Sequence, residues 1–124
     1  MNIIISNSSS EPIYEQIKKA IKQAIYTNEL KEEEILPSVR ALANDLKISF
    51  LTVKKAYDEL EAEGFIKTVQ GKGSYVLPKN LELLREEKLK EIEKNISTVV
   101  KLSKIYGITE EEVVNLIKIM FEED

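Results

Sequence analysis

Ser49-Phe50-Leu51-Thr52-Val53-Lys54-Lys55-Ala56-Tyr57-Asp58-Glu59-Leu60-Glu61-Ala62-Glu63-Gly64 runs directly into Phe65-Ile66-Lys67-Thr68-Val69-Gln70-Gly71-Lys72-Gly73-Ser74-Tyr75-Val76, and the change of hydrophobic period between these two stretches decides the fold. In the first, Val53, Ala56, Tyr57 and Leu60 recur at helical spacing, so one face is buried. Ser49 can cap such a helix, and Gly64 stands where a glycine stops one. In the second, β-rich residues 65–69 and 74–77 flank Gln70-Gly71-Lys72-Gly73, which reads as a hairpin turn.

Working back toward the N-terminus, Ser38 is placed to cap a short helix with Val39, Leu42, Ala43 and Leu46 on its buried face. Lys47-Ile48-Ser49 is then a three-residue turn between two helices, with Ile48 able to staple onto Val53. Before that, Pro12 suits a helix start, and Tyr14, Ile17, Ile21, Ala24 and Ile25 form the stripe of a first helix ending near Asn28. Glu32-Glu33-Glu34 reads as a loop or a ragged helix end. Three helices followed by a glycine-tipped hairpin make a winged helix-turn-helix, so the fold class is mainly α with a small β-hairpin.

Downstream, Pro78 closes the hairpin, and no Gly or Pro interrupts residues 80–105. Leu81, Leu84, Leu89, Ile92, Ile96 and Val99 form an apolar stripe along this stretch, which Gly107 ends. Thr109-Glu110-Glu111-Glu112 has the form of a capping box, opening a last helix with Val113, Leu116, Ile117, Met120 and Phe121. A helix of about 26 residues extends ~39 Å, longer than a small domain is wide. Its stripe is expected to be covered by a second subunit rather than by the last helix alone. The predicted organisation is an arm at 1–10, a winged helix at 11–78 and a two-helix dimerisation region at 79–124. The residues expected to dimerise are Leu84, Leu89, Ile92, Ile96, Val99, Leu116, Ile117, Met120 and Phe121. The alternative is a monomeric α-hairpin folded back on the first domain.

Composition removes most other readings. The 124 residues contain neither Cys nor His, which excludes disulfides, the usual zinc ligands and every nucleophile or base that depends on them. No metal, cofactor or catalytic residue is expected. No apolar run approaches the roughly 18 residues of a membrane span, and the start lacks a basic, apolar leader, so a cytoplasmic location is expected. The net charge is -4; residues 1–78 carry 10 basic and 11 acidic side chains, and residues 79–124 carry 8 and 11. Any affinity for nucleic acid must therefore come from where the charges sit, not from their sum.

Opposite the buried stripe of the third helix lie Leu51, Lys55, Asp58 and Ala62, flanked by Thr52 and Lys54. Cationic and hydrogen-bonding groups gather at its start and carboxylates further on, the polarity needed by a helix that enters the major groove by its N-terminus. The plainer reading is that Lys54 and Lys55 solvate a surface helix. Leu51 is not explained by packing and could meet a thymine methyl.

The blocks Leu36-Pro37-Ser38-Val39-Arg40-Ala41-Leu42-Ala43, Ser49-Phe50-Leu51-Thr52-Val53, Ala56-Tyr57, Leu60, Glu63-Gly64 and Gly71-Lys72-Gly73-Ser74-Tyr75-Val76 resemble the N-terminal domain of GntR-type bacterial transcription regulators. The resemblance spans roughly residues 11–78. The short tail is similar to the YtrA-like subfamily, in which two C-terminal helices dimerise the protein. The resemblance implies a homodimeric regulator, of repressor type, bound to a palindromic double-stranded operator, with a transporter operon as its target. It implies DNA contacts from Ser38 and Arg40, from Ser49, Phe50, Leu51, Thr52, Lys54 and Lys55, and from wing residues Gln70, Gly71 and Lys72. Arg40 offers a fork for guanine or phosphate, and Gly71 permits close backbone approach. Three positions depart from the family pattern: Phe50 stands where many members have arginine, and Asn28 and Glu33 where glycine is common. Two rival readings are a winged helix used for protein contacts and a regulator sensing a small ligand between the C-terminal helices; no residue identifies an effector.

Overall fold

The computed structural model describes residues 2–78 and 81–123, which form α1 (Ile13–Tyr26), α2 (Val39–Leu46), α3 (Phe50–Ala62), β1 (Ile66–Val69), β2 (Gly73–Val76), α4 (Leu81–Tyr106) and α5 (Glu110–Glu122). The expected helix start at Asn80 and domain boundary at residue 79 lie outside the described residues. The chain divides into two compact units, Met1–Leu81 and Glu82–Asp124.

In the first unit the caps sit where the side-chain chemistry puts them. Ser38 Oγ accepts the backbone N–H of Ala41 at 3.0 Å, and Ser49 Oγ accepts those of Leu51 and Thr52 at 3.1 and 3.4 Å. These bonds satisfy donors that a helix start leaves orphaned. Lys47 ends α2 in the left-handed conformation, φ 57°, which allows the tight turn into α3. Gly64, φ 84°, follows the C-cap of α3, as a terminating glycine should. Pro12 is the residue preceding α1, so that helix starts at Ile13.

α1, α2 and β1 all pack against α3. The core is aliphatic: Ile17, Ile21, Val53, Leu60, Ile66 and Val76 are fully enclosed, joined by Leu30, Leu36, Leu42 and Phe65. The hairpin pairs Ile66 with Val76 through Val69 with Gly73. Glu32-Glu33-Glu34 is the loop it was expected to be, and it leads into an isolated bridge on the free side of β2: Ile35 bridges Tyr75, Glu33 and Leu36 donate to the Val76 and Ser74 carbonyls at 2.8 Å, and Val76 donates to the Glu34 carbonyl at 3.0 Å. Asn28 and Glu33 adopt φ of 63° and 66°, so both loops keep the conformation glycine would favour without having one.

One charged group lies inside this unit. Lys18 on α1 is buried, and its Nζ sits 2.8 Å from Glu59 and 2.7 Å from Glu63, both on the α3 side. Lys22 adds a second contact to Glu63 at 2.7 Å. Burial disfavours the Lys18 ammonium, but the bonds to Glu59 and Glu63 and the charges of Glu63 and Glu15 outweigh it and hold the group above the ordinary lysine value. For Glu63 burial pushes the pKa up, but the bonds and charges of Lys18 and Lys22 hold it below the usual value. The pairs clamp α1 to the C-terminal half of α3.

In the second unit, α5 opens with the expected capping box between Thr109 and Glu112. Its apolar side chains and those of α4 are largely bare: Leu89, Ile92, Ile96, Val99, Leu116, Ile117 and Met120 are exposed, and Phe121 is 85% exposed. Leu84, expected with them, differs: it is only 3% exposed, and it lies about 140° around the helix from Leu89, off the line of the exposed residues. Among the described residues, no helix is long and apolar enough to cross a membrane.

Candidate nucleic-acid interface

The helix-turn-helix brings the start of α3 beside α2. Capping by Ser49 leaves Phe50 and Leu51 on the first turn of α3, where their side chains are not needed by the core stripe that follows. Leu51 is 72% exposed, and Phe50 is 41% exposed. Thr52 is half-buried, and Lys54 is exposed. Lys54 reaches along the helix to Asp58 at 2.8 Å, a solvent-exposed pair one turn apart that is easily exchanged for another anion.

Arg40 lies on the exposed side of α2, in its first turn. Its guanidinium carbon stands 5.3 Å from the centroid of the Phe50 ring, within cation–π range, and no carboxylate among the described residues pairs with it. Ser38 spends its hydroxyl on the cap, so its contribution to this face is to hold the α2 backbone. Ser49 does the same for α3. Lys55 differs from Lys54. Its ammonium rests 4.1 Å from the ring centroid of Tyr14 on α1, and it reaches DNA only by leaving that ring.

The wing follows from turn chemistry. Lys72 donates its backbone N–H to the Val69 carbonyl at 2.9 Å, closing a turn in which Gly71 sits at φ 83°. That left-handed value at the third turn position is the reason for glycine there. A Cβ on Gly71 would meet nothing within 4 Å, so the tip is open to an approaching surface. Gln70, Gly71 and Lys72 are all exposed.

Tyr57 is a contributor that periodicity assigned only to the core. Its hydroxyl donates to the Pro37 carbonyl at 2.7 Å, immediately before the Ser38 cap. Burial raises its pKa above the ordinary tyrosine value, so the donor stays protonated. The bond ties the middle of α3 to the entry of α2 and so fixes where Arg40 emerges. A tyrosine, rather than a phenylalanine, in the stripe was the available signal, since a buried hydroxyl needs a partner.

The assembled face has an exposed lysine paired with Asp58, a fork-shaped cation, two apolar side chains and an open turn. It lacks the groups for bond-making chemistry, and no cluster of three or more metal-type ligands occurs among the described residues.

Comparison with known proteins gives this face its context. Residues 13–76 match the family described as bacterial regulatory proteins, gntR family. The chain is 36% identical over 116 residues to the HTH-type transcriptional repressor YtrA of Bacillus subtilis (strain 168), covering 94% of this chain and 89% of that protein. A GntR family transcriptional regulator from Listeria monocytogenes superimposes with a TM-score of 0.73 at 32% identity, covering 90% of this chain and 96% of that one. The crystal structure of AraR(DBD) in complex with operator ORX1 matches 61% of this chain and 95% of that one, with a TM-score of 0.55 and 25% identity. The chain belongs to the GntR family of bacterial DNA-binding transcription regulators, in its YtrA-like subfamily.

Proposed function

We propose that the chain is a transcriptional repressor that binds a palindromic operator as a homodimer, in the cytoplasm, with a transporter operon as the target implied by its subfamily. In this reading α3 enters the major groove by its N-terminus, Leu51 and Thr52 meet base edges, and Lys54 meets phosphate after leaving Asp58. Arg40 reads guanine or phosphate from the flank, and Gln70, Gly71 and Lys72 approach the minor groove. Ser38 and Ser49 hold the two helix starts in register.

The observation that carries the DNA reading is the joint exposure of Leu51, Phe50 and Arg40 at adjoining helix starts, with no ion pair to Arg40 among the described residues. Neither a hydrophobic core nor surface solvation needs an exposed leucine, phenylalanine and arginine together. The bare stripes on α4 and α5 support pairing of two copies, and a two-fold dimer matches two half-sites. A ligand pocket between the C-terminal helices finds less support: the depression along α4 is lined by Lys90, Glu93, Lys94, Ser97, Thr98 and Lys101, all from one helix.

Selection of bound duplexes from a random pool, at fixed salt, tests the proposal. Recovery of an inverted repeat bound by a dimer is expected. Recovery of no enriched sequence would overturn the DNA reading and favour protein contacts, and an enriched asymmetric site bound by a monomer would overturn the dimer.

A further inference from the structure

We infer that Phe50 is a positioning residue that carries Arg40, the two acting as one reading unit built across the helix-turn-helix. The inference rests on the DNA-binding role proposed for Arg40 and goes beyond it.

Phe50 opens α3 yet takes no part in its buried stripe of Val53, Ala56, Tyr57 and Leu60. Its ring is nearly half exposed, and its identified ring contact is the Arg40 guanidinium at 5.3 Å. Both ends of that contact are fixed. The Ser49 cap holds the first turn of α3, and the Ser38 cap with the Tyr57–Pro37 bond holds the first turn of α2. An arginine on a helix surface otherwise samples many rotamers, and ordering it on binding costs free energy. A guanidinium resting on a ring is restrained before DNA arrives, and its in-plane N–H donors remain for a base edge or a phosphate.

Phe50 adds no charge to this face but gives the charge of Arg40 a platform. The consequence is a shift from sequence-independent attraction toward oriented contact, which suits a domain of net charge -1 over residues 1–78, with 10 basic and 11 acidic side chains.

A double-mutant cycle on the full-length protein tests this, using the duplex selected from the random pool and a scrambled duplex of equal length. Phe50→Leu should weaken binding to the selected duplex by roughly three- to tenfold, the range expected for a lost cation–π contact. Phe50→Tyr should restore it, and Phe50→Leu should add nothing in an Arg40→Ala background. The salt slope should be unchanged by Phe50→Leu, because no phosphate contact is removed, whereas Phe50→Arg should steepen it by about one. Equal losses from Phe50→Leu with and without Arg40 would overturn the inference, since the ring would then act by itself or through the fold. Full binding by Phe50→Leu alongside weak binding by Arg40→Ala would also overturn it while leaving the role of Arg40 intact. Unchanged binding by Arg40→Ala would instead remove the reading beneath it.

Discussion

Ile96→Asp should abolish dimerisation without disturbing the winged helix. Ile96 lies in the exposed stripe of α4 with Leu89, Ile92 and Val99, and 47% of its surface is bare in the protomer. Complete burial of such a side chain is worth about 1.5–3 kcal/mol, so covering the exposed half contributes about 1 kcal/mol. An aspartate there loses that contribution and adds a desolvation penalty of about 1–3 kcal/mol for a polar group without a partner. Two-fold symmetry applies both effects twice, giving at least about 4 kcal/mol, or roughly a thousandfold weaker dimer. Sedimentation equilibrium over a range of concentrations would measure the shift, and thermal unfolding would confirm that the first unit is intact. DNA affinity should fall with dimerisation, because each half-site would be bound separately and the avidity of about 10²–10⁴ would be lost. Ile96→Asp assembling at the same concentration as the unmodified chain would refute the assignment of this stripe, and a monomeric unmodified chain would refute the dimer altogether.

Three further outcomes follow from the first unit. Tyr57→Phe removes the donor to Pro37 and should cost about 1 kcal/mol in a urea titration, with a parallel loss of operator binding because α2 is no longer anchored at its entry. Gly71→Val places a β-branched residue at φ 83°, a strain of about 1–3 kcal/mol, and should weaken DNA binding in a gel shift while sedimentation shows the same dimer. Lys18→Met should lower stability by about 1–2 kcal/mol by removing the ammonium that bonds Glu59 and Glu63, with Lys22 still paired to Glu63. That difference is pH-dependent with a definite sign. The folded Glu63 titrates below its ordinary 4.5, so its share is complete above 4.5 and is lost as pH falls through the lower folded value. The folded Lys18 titrates above its ordinary 10.5, so its share is complete below 10.5 and is lost as pH rises through the higher folded value. Melting curves of both proteins should therefore differ by a constant amount between about pH 5 and pH 10 and converge outside that window.

Local chemistry made much of this molecule legible in one dimension. The stripes of α1, α2 and α3, the caps at Ser38, Ser49 and Thr109, and the turn at Gly71 depend on neighbours a few residues away, and period and residue type encode them directly. The motif blocks of residues 11–78 carried the family, and the exposed position of Leu51 followed from its place opposite the stripe. What escaped the sequence depends on contacts between distant segments. Nothing in the sequence around Ile35 marks its bridge to Tyr75, which forms because β2 presents an unpaired edge to the loop before α2. Lys55 and Lys54 are adjacent and chemically identical, but one meets Tyr14 and the other Asp58, because the helical turn of about 100° between neighbours sends them to different surroundings. Arg40 and Phe50, Tyr57 and Pro37, and Lys18 and Glu63 are pairs separated by 10, 20 and 45 residues, and only the packing of α1 and α2 on α3 brings them together.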